Sequence, residues 1–194
     1  MITSIDQLDL DKRYTYADYL TWRLDEYVEL IRGKIFRMSP APNKRHQIAV
    51  FELGVQLHPY FKTKVCQVFL APFDVQLPLS KIEGETSTVV QPDLLVVCDP
   101  EKITKQCCIG APDLVVEILS PSTSQKDIKD KYELYEEAGV REYWIVDPIN
   151  EVLDQFVLEE GRYQLRKKYA GQATVPAAIF PGLEIDLKVV FQED

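Results

Sequence analysis

Three short apolar runs dominate the pattern of hydrophobic and polar positions along the chain. They are LLVVC at 94–98, DLVVEIL at 113–119 and YWIVD at 143–147. Continuous runs rich in β-branched residues predict strands that are buried on both faces. Residues 127–138, between the last two runs, have a helical pattern, and Gly139 stands where a glycine commonly ends a helix. The order strand, helix, strand predicts two parallel strands joined by a right-handed crossover.

The remaining segments predict antiparallel hairpins and two further helices. Apolar runs on both sides of Arg32-Gly33 and of Gly161 predict hairpins. Thr15-Tyr-Ala-Asp18 has capping-box spacing and predicts a helix of about ten residues. A longer helix is predicted from 44 to about 60, with a partly buried face formed by Ile48, Phe51, Leu53, Val55 and Leu57.

Three other segments have simpler patterns. Two strand-like runs flank Ala71-Pro72, and the polar stretch SKIEGETST at 80–88 predicts an exposed loop. The run GLEIDLKVVF near the end of the chain predicts a last strand. Together the elements predict an α/β fold of the α+β type. Its mixed central sheet has a parallel pair at its heart and is flanked by helices.

Length and composition fit one globular domain. The chain has 194 residues, of which 46% are hydrophobic and 27% charged, so we expect a single domain over 1–194 with its core at about 15–190. No apolar stretch reaches the roughly 20 residues that span a bilayer. The N-terminus lacks the basic and apolar regions of a signal peptide, so we expect a cytoplasmic protein without a membrane partner.

Charge and cysteine content narrow the function classes. The net charge of -9 disfavours a broad electrostatic face for DNA. A metal site remains compatible with it, because such a site needs clustered carboxylates whose charge the cation partly cancels. The four cysteines show no CxxC pair or zinc-ligand spacing, and we expect free thiols.

Two acidic residues beside buried strands carry the candidate chemistry. Asp93 precedes the first apolar run, and Glu117 lies near the end of the second. If the two strands are neighbours in the sheet, the carboxylates of Asp93 and Glu117 converge at one end of it. They would then repel each other, and a bound Mg²⁺ or Mn²⁺ would relieve this repulsion. Such an ion activates water and stabilises charge on a phosphate. Alternatively, Asp93 is a turn residue after Pro92, and Glu117 forms a buried ion pair with Lys or Arg.

A cation is expected close to this acidic pair. The helix after Glu117 offers Lys126, Lys129 and Lys131, and Lys131 shares one helix face with Tyr135. A solvated surface charge is the alternative for each of these lysines.

Several of these segments together resemble one protein family. They are YVELIRGKIFRMSP, VVQPDLLVV, DLVVEILSPST and KDIKDKYELYEEAGVREYWIVDP, within roughly residues 15 to 190. They resemble the Uma-two family of proposed restriction endonucleases, a branch of the PD-(D/E)XK nuclease superfamily. The resemblance implies a restriction-endonuclease-like core, and Mg²⁺-dependent phosphodiester hydrolysis at one end of the sheet.

The resemblance also assigns site residues. It places the first motif acid at Asp93 and the second at Glu117. The superfamily lysine would stand two residues after Glu117, where this chain has Leu119. Lys131 matches the family's helix lysine and is the candidate replacement. Glu29 matches an upstream metal-binding glutamate, although pairing with Arg32 or Lys34 is the alternative.

His46 also matches a recurrent family position. A helix histidine is either a structural hydrogen-bonding group or a general base, and the sequence leaves both roles open.

The sequence therefore predicts a metal-dependent endonuclease. We expect Asp93, Glu117 and Lys131 to be catalytic. We expect Asp93, Glu117 and Glu29 to bind Mg²⁺ or Mn²⁺. The expected substrate is DNA, and the enzyme could act as a homodimer. One alternative is a catalytically degenerate nuclease fold that acts as a binding or regulatory module. Another is a hydrolase of RNA or of another phosphoester. GxSxG and GxxxxGK[ST] motifs are absent, which excludes two large enzyme classes.

Overall fold

A computed structural model describes residues 1–38, 43–79, 87–121 and 125–192, without the side chains of 125–127. Its strands are β1 (Val28–Ile31), β2 (Lys34–Arg37), β3 (Gln67–Leu70), β4 (Asp74–Gln76), β5 (Val89–Val90), β6 (Leu94–Val97), β7 (Cys107–Ile109), β8 (Leu114–Ile118), β9 (Glu142–Asp147), β10 (Val152–Glu159), β11 (Arg162–Ala170), β12 (Thr174–Pro176) and β13 (Glu184–Asp186). Its α-helices are α1 (Tyr16–Tyr19), α2 (Lys44–Phe61), α3 (Gln125–Ala138) and α4 (Leu187–Val190). Short 3₁₀ turns lie at Ile5–Gln7 and Pro100–Lys102.

The three apolar runs form the centre of the largest sheet. Its strand order is β11-β10-β9-β8-β6-β3. Strands β8 and β9 are parallel, with Val116 opposite Trp144, whereas the other neighbours are antiparallel. Helix α3 connects this parallel pair, and Gly139 ends the helix at a φ of 86°. The predicted mixed sheet with a parallel pair at its heart is confirmed.

The N-terminal hairpin lies in a second sheet. The order of that sheet is β2-β1-β5-β4-β7, in which only β4 and β7 pair in parallel among the described strands. The hairpin turn at Arg32-Gly33 has positive φ at both residues, as a tight primed turn requires. Apolar side chains of the two sheets share one core with α3, and these include Val75, Val90, Leu95, Val97, Val115, Leu134 and Tyr135. The second sheet therefore covers one face of the first.

Helix α2 covers the opposite face of the large sheet. Its buried positions include Ala49, Leu53, Leu57 and Phe61, which repeat every fourth residue. The predicted face was wrong in part, because Phe51 is 63% exposed and Val55 is 48% exposed. None of the helices in the described ranges combines the length and apolar character that a bilayer-crossing helix needs.

Two elements near the ends of the chain differ from their predictions. The capping box at Thr15 is present, but α1 ends at Tyr19 rather than after about ten residues. Trp22 turns inward and packs edge-on against Tyr14, with ring centroids 5.1 Å apart. The predicted last strand is only β13, which pairs with β12 in a separate small sheet before the chain turns into α4.

Most of the predicted 80–88 loop lies outside the described residues. Thr88, at its end, is fully buried rather than exposed. The free-thiol prediction was wrong for Cys66 and Cys98, which form a disulfide between β3 and β6. These strands pair with Gln67 opposite Val97, so the two cysteines are cross-strand neighbours. Cys107 and Cys108 are free and buried, as predicted.

A buried carboxylate holds the C-terminal segment onto the large sheet. Glu142 is fully buried and accepts hydrogen bonds from Trp144 Nε1 (2.7 Å) and Gln155 Nε2 (2.7 Å). It also accepts them from the backbone nitrogens of Ala178 (3.0 Å) and Ile179 (2.9 Å). A buried charge of this kind is tolerated because several donors replace its water shell.

We expect Glu142→Ala to lower the free energy of unfolding by about 3 to 5 kcal/mol, because it leaves several buried donors without an acceptor. Urea denaturation followed by circular dichroism measures this change. Glu133→Ala is the control, since the ion pair of Glu133 with Lys129 is exposed and its loss should cost less than about 1 kcal/mol. Equal stability of the two variants would show that the Glu142 network contributes little.

Candidate functional site

Asp93 and Glu117 converge at one edge of the large sheet. Strands β6 and β8 are antiparallel neighbours, and Leu94 pairs with Val116. Asp93 precedes Leu94 and Glu117 follows Val116, so the ladder sets the two acids opposite each other. Because side chains alternate along a strand, both lie on the face that Leu95 and Val115 bury against the second sheet. The sheet-neighbour geometry expected for this pair is therefore present.

Asp93 is held by two polar contacts. Its Oδ2 accepts a hydrogen bond from the backbone nitrogen of Ile118 (2.8 Å), and its Oδ1 lies 3.3 Å from His46 Nε2. His46 stands in the first turn of α2, where its backbone nitrogen donates to the capping side chain of Asn43. The Nδ1 atom of His46 is buried and has no hydrogen-bond partner among the described residues. His46 therefore faces the acidic site. The sequence alone leaves its role open between a structural hydrogen-bonding group and a general base.

Lys131 reaches Glu117 from helix α3. Its Nζ lies 2.9 Å from Glu117 Oε1 and 3.1 Å from Glu29 Oε1. The Tyr135 hydroxyl, one helical turn later, donates to the same Glu117 oxygen at 2.7 Å. The predicted shared face of Lys131 and Tyr135 is confirmed, and this face turns into the acidic site.

Glu29 comes to the site from the second sheet. Its Oε1 accepts a hydrogen bond from the backbone nitrogen of Gln91 (2.9 Å) as well as facing Lys131. The alternative pairing of Glu29 with Arg32 or Lys34 is not found. Arg32 instead pairs with Glu137, and Lys34 donates to backbone carbonyls of the N-terminal segment.

The site is short of positive charge. Burial raises the pKa of Glu117 to about 7, with further upward contributions from Asp93 and Glu29, while Lys131 and the Tyr135 hydroxyl act in the opposite direction. For Lys131 burial alone would lower the pKa, but the carboxylates of Glu117 and Glu29 outweigh it and raise the pKa. The buried ammonium of Lys131 therefore interacts electrostatically with three carboxylates, those of Glu117, Glu29 and Asp93.

This donor set fits a divalent cation. Carboxylate oxygens are the ligands that Mg²⁺ and Mn²⁺ prefer, and an added double positive charge would offset the carboxylates that Lys131 leaves unbalanced. Among the described residues, no three His, Cys, Asp or Glu side chains are already arranged as a metal cage. Asp93 and Glu117 therefore offer the charge and the atom type that such an ion prefers, but the described residues do not form a three-ligand site.

The other candidates lie elsewhere. Lys129 pairs with Glu133 at the surface, and the side chain of Lys126 lies outside the described residues. The chain has a second Pro-Asp pair, Pro112-Asp113, directly before β8, which places Asp113 at the opposite end of that strand from Glu117. There it accepts a hydrogen bond from the Cys98 backbone nitrogen and pairs with Arg141.

Sequence reasoning missed two contacts. The hydrogen bond from Tyr135 to Glu117 could have been anticipated from the i, i+4 spacing to Lys131. The contact of Gln91 with Glu29 had no sequence signal, because it depends on the pairing of β1 with β5, which are far apart in the chain.

One solved structure and one sequence relative are similar to this chain. A solved structure from Anabaena variabilis, titled a putative nuclease belonging to DUF820, superposes with a TM-score of 0.69 at 21% identity. The superposition covers 92% of this chain and 97% of that one, and shows a common fold. An uncharacterized protein of Synechocystis sp. is 30% identical over 120 residues, which are 61% of this chain and 60% of that protein.

The family assignment comes from a sequence profile. Residues 16–188 match the Uma2 profile, which carries the description "Putative restriction endonuclease". The match includes the hairpin of Glu29, the strands of Asp93 and Glu117, and the helix of Lys131. The chain therefore belongs to the Uma2 family of proposed restriction endonucleases.

Proposed function

We propose that this protein is a metal-dependent endonuclease that hydrolyses phosphodiester bonds of DNA. The observation that carries the proposal is the Asp93–Glu117 pair at the sheet edge, with the Lys131 ammonium bound to Glu117. Paired carboxylates and a lysine in one partly buried cluster are the groups that metal-assisted phosphodiester hydrolysis requires. Membership of the Uma2 family supports the same reaction class.

Asp93 and Glu117 would hold Mg²⁺ or Mn²⁺, together with a backbone carbonyl near Ile118 and with Glu29 as a third carboxylate. When bound, such an ion lowers the pKa of a water molecule and stabilises the negative charge that develops on the phosphate. The hydrogen bond from the Ile118 nitrogen fixes one oxygen of Asp93 and leaves the other facing His46. Asp93 is thereby oriented before any ligand arrives.

Lys131 takes the place of the motif lysine. Residues two apart on a strand share a face, so a lysine at 119 would stand beside Glu117, and this chain has Leu119 there. The Lys131 ammonium reaches the same carboxylate from α3. In the proposed reaction this ammonium orients the attacking water or neutralises charge on the scissile phosphate.

His46 and Tyr135 act as positioning residues in this proposal. His46 holds Asp93 through Nε2, and Tyr135 holds Glu117 through its hydroxyl. Both are buried enough to keep fixed orientations, since His46 is 6% exposed and Tyr135 is fully buried. Each carboxylate therefore has a buried partner that holds one of its oxygens in place.

A second candidate function is a binding or regulatory module on a nuclease fold. The observation that favours it is the Lys131 ammonium between Glu29 and Glu117, because a lysine in that position stabilises the carboxylates without a metal. The net charge of -9 also favours a binding or regulatory module, because it disfavours a broad electrostatic face for DNA.

We expect Asp93→Asn to reduce cleavage of supercoiled plasmid DNA at least about 100-fold in Mg²⁺ or Mn²⁺, since it removes a ligand charge while keeping the side-chain shape. Gel electrophoresis measures nicking and linearisation, and parallel lanes of single-stranded RNA test the substrate class. Asp113→Asn alters the other Pro-Asp pair and should cleave like wild type. Wild-type activity in Asp93→Asn would overturn the assignment.

Calorimetric titration with Mn²⁺ separates the two candidate functions. We expect a saturable binding event in the wild type that Asp93→Asn abolishes and Glu29→Gln weakens, because each variant removes one negative charge from the site. Asp113→Asn should bind Mn²⁺ as the wild type does. Absence of Mn²⁺ binding to the wild type would favour the degenerate module.

Lys131→Ala should both inactivate and destabilise the protein. The variant leaves Glu29 and Glu117 buried without their shared cation, so we expect a loss of about 3 to 5 kcal/mol in the free energy of unfolding. Denaturant titration measures this loss, with Lys129→Ala as the control on the exposed face of the same helix. If Lys131→Ala proves as stable and as active as Lys129→Ala, the ammonium has neither role.

A further inference from the structure

A cavity of about 430 Å³ lies on the outer face of the second sheet, the face opposite to the acidic site. Its size is within the range of small-molecule sites. It opens between the segment that follows α1 and the β3–β4 loop. Its walls include Tyr19, Trp22, Tyr27, Phe73, Asp74 and Gln91.

Two connections tie this cavity to the acidic site. The backbone nitrogen of Gln91 donates to Glu29 at 2.9 Å, while its side-chain amide donates to Asp74 in the cavity at 2.7 Å. The Ala71 backbone nitrogen donates to the Asp93 carbonyl at 3.1 Å, and the next two residues of that loop line the cavity. Gln91 and the β3–β4 loop therefore connect the cavity to the acidic site through the second sheet.

Four aromatic side chains line the cavity beside its polar groups. Tyr19 and Trp22 pack against each other with ring centroids 5.8 Å apart, and Phe73 stacks on Phe69 at 4.3 Å. These contacts fix the rings in place before a ligand binds. Tyr27 also lines the cavity and is 65% exposed, so it presents a ring face to solvent. Such walls suit a flat ring that can stack.

The polar groups of the cavity disfavour an anion. Asp74 and Glu26 contribute carboxylates to the lining. Arg23, the cation of the lining, donates to the carbonyls of Leu20 and Trp22 in its own segment. A neutral ring that offers hydrogen-bond donors to the Asp74 carboxylate therefore fits this cavity better than a phosphate group does.

We propose that this cavity binds an unstacked nucleobase, with guanine preferred. That the base belongs to a substrate of the acidic site rests on the proposed nuclease function, whereas the base site itself does not. The Watson–Crick edge of guanine presents a ring N–H and an amino group side by side, which both donate to one carboxylate. Cytosine and adenine offer an amino group alone, and thymine flanks its single N–H with carbonyl oxygens that Asp74 would repel.

The test uses the four neutral deoxynucleosides as probes of the intact protein, in EDTA. Without a metal no strand is cut, and a nucleoside has no phosphate that the acidic site could repel. Amide chemical shifts of the ¹⁵N-labelled protein are followed during each titration. We expect deoxyguanosine to shift Trp22, Asp74 and Gln91, and to bind at least about fivefold more tightly than thymidine.

Three variants separate the roles of the cavity residues. Tyr27→Ala should weaken deoxyguanosine at least about fivefold, as expected for the loss of one stacking ring. Phe51→Ala is the matched control, because Phe51 is 63% exposed on α2 and does not line this cavity. Asp74→Asn should bring deoxyguanosine to within about twofold of thymidine, because the amide replaces one acceptor by a donor.

Shifts that map elsewhere, equal affinity for the four nucleosides, or equal effects of Tyr27→Ala and Phe51→Ala would each overturn the base site. If deoxyguanosine binds here but plasmid DNA is not cleaved, the nuclease proposal fails and the base site stands. If plasmid DNA is cleaved but no nucleoside shifts these residues, only the base site fails.

Discussion

The balance of charge around the Lys131 ammonium is the constraint on which the site and its surroundings depend. This nitrogen lies between Glu117 on β8 and Glu29 on β1, and so joins helix α3 to both sheets. Each of these charges would be unfavourable where it lies without the others, because burial penalises charged forms. The contacts that hold these three elements together therefore also bring Glu29, Glu117 and Lys131 into one cluster.

The contacts around this centre limit how far the carboxylates can move. The backbone of Ile118 fixes one oxygen of Asp93, and the hydroxyl of Tyr135 fixes one of Glu117. Gln91 orients Glu29 through its backbone and reaches the outer face of the same sheet through its side chain. Preorganisation of this kind lowers the reorganisation that binding of an ion or a substrate would need.

Much of the fold could be predicted from the sequence because its signals are local. The apolar runs of β6, β8 and β9, the turn at Arg32-Gly33 and the glycine after α3 each act within a few residues. The predictions failed where distant contacts decided the outcome. Trp22 packs on Tyr14 and shortens α1, and the pairing of β3 with β6 brings Cys66 and Cys98 together.

The sequence by itself determined the candidate residues, since strand patterns, helix spacing and family resemblance point to Asp93, Glu117, Lys131 and Glu29. Only the tertiary structure decided that they share one cluster, that His46 faces Asp93, and that a cavity with aromatic side chains lies on the outer face of the second sheet. The physical reason is that residue type and periodicity are local properties of the chain. Distances between side chains on two sheets and two helices depend instead on how those elements pack.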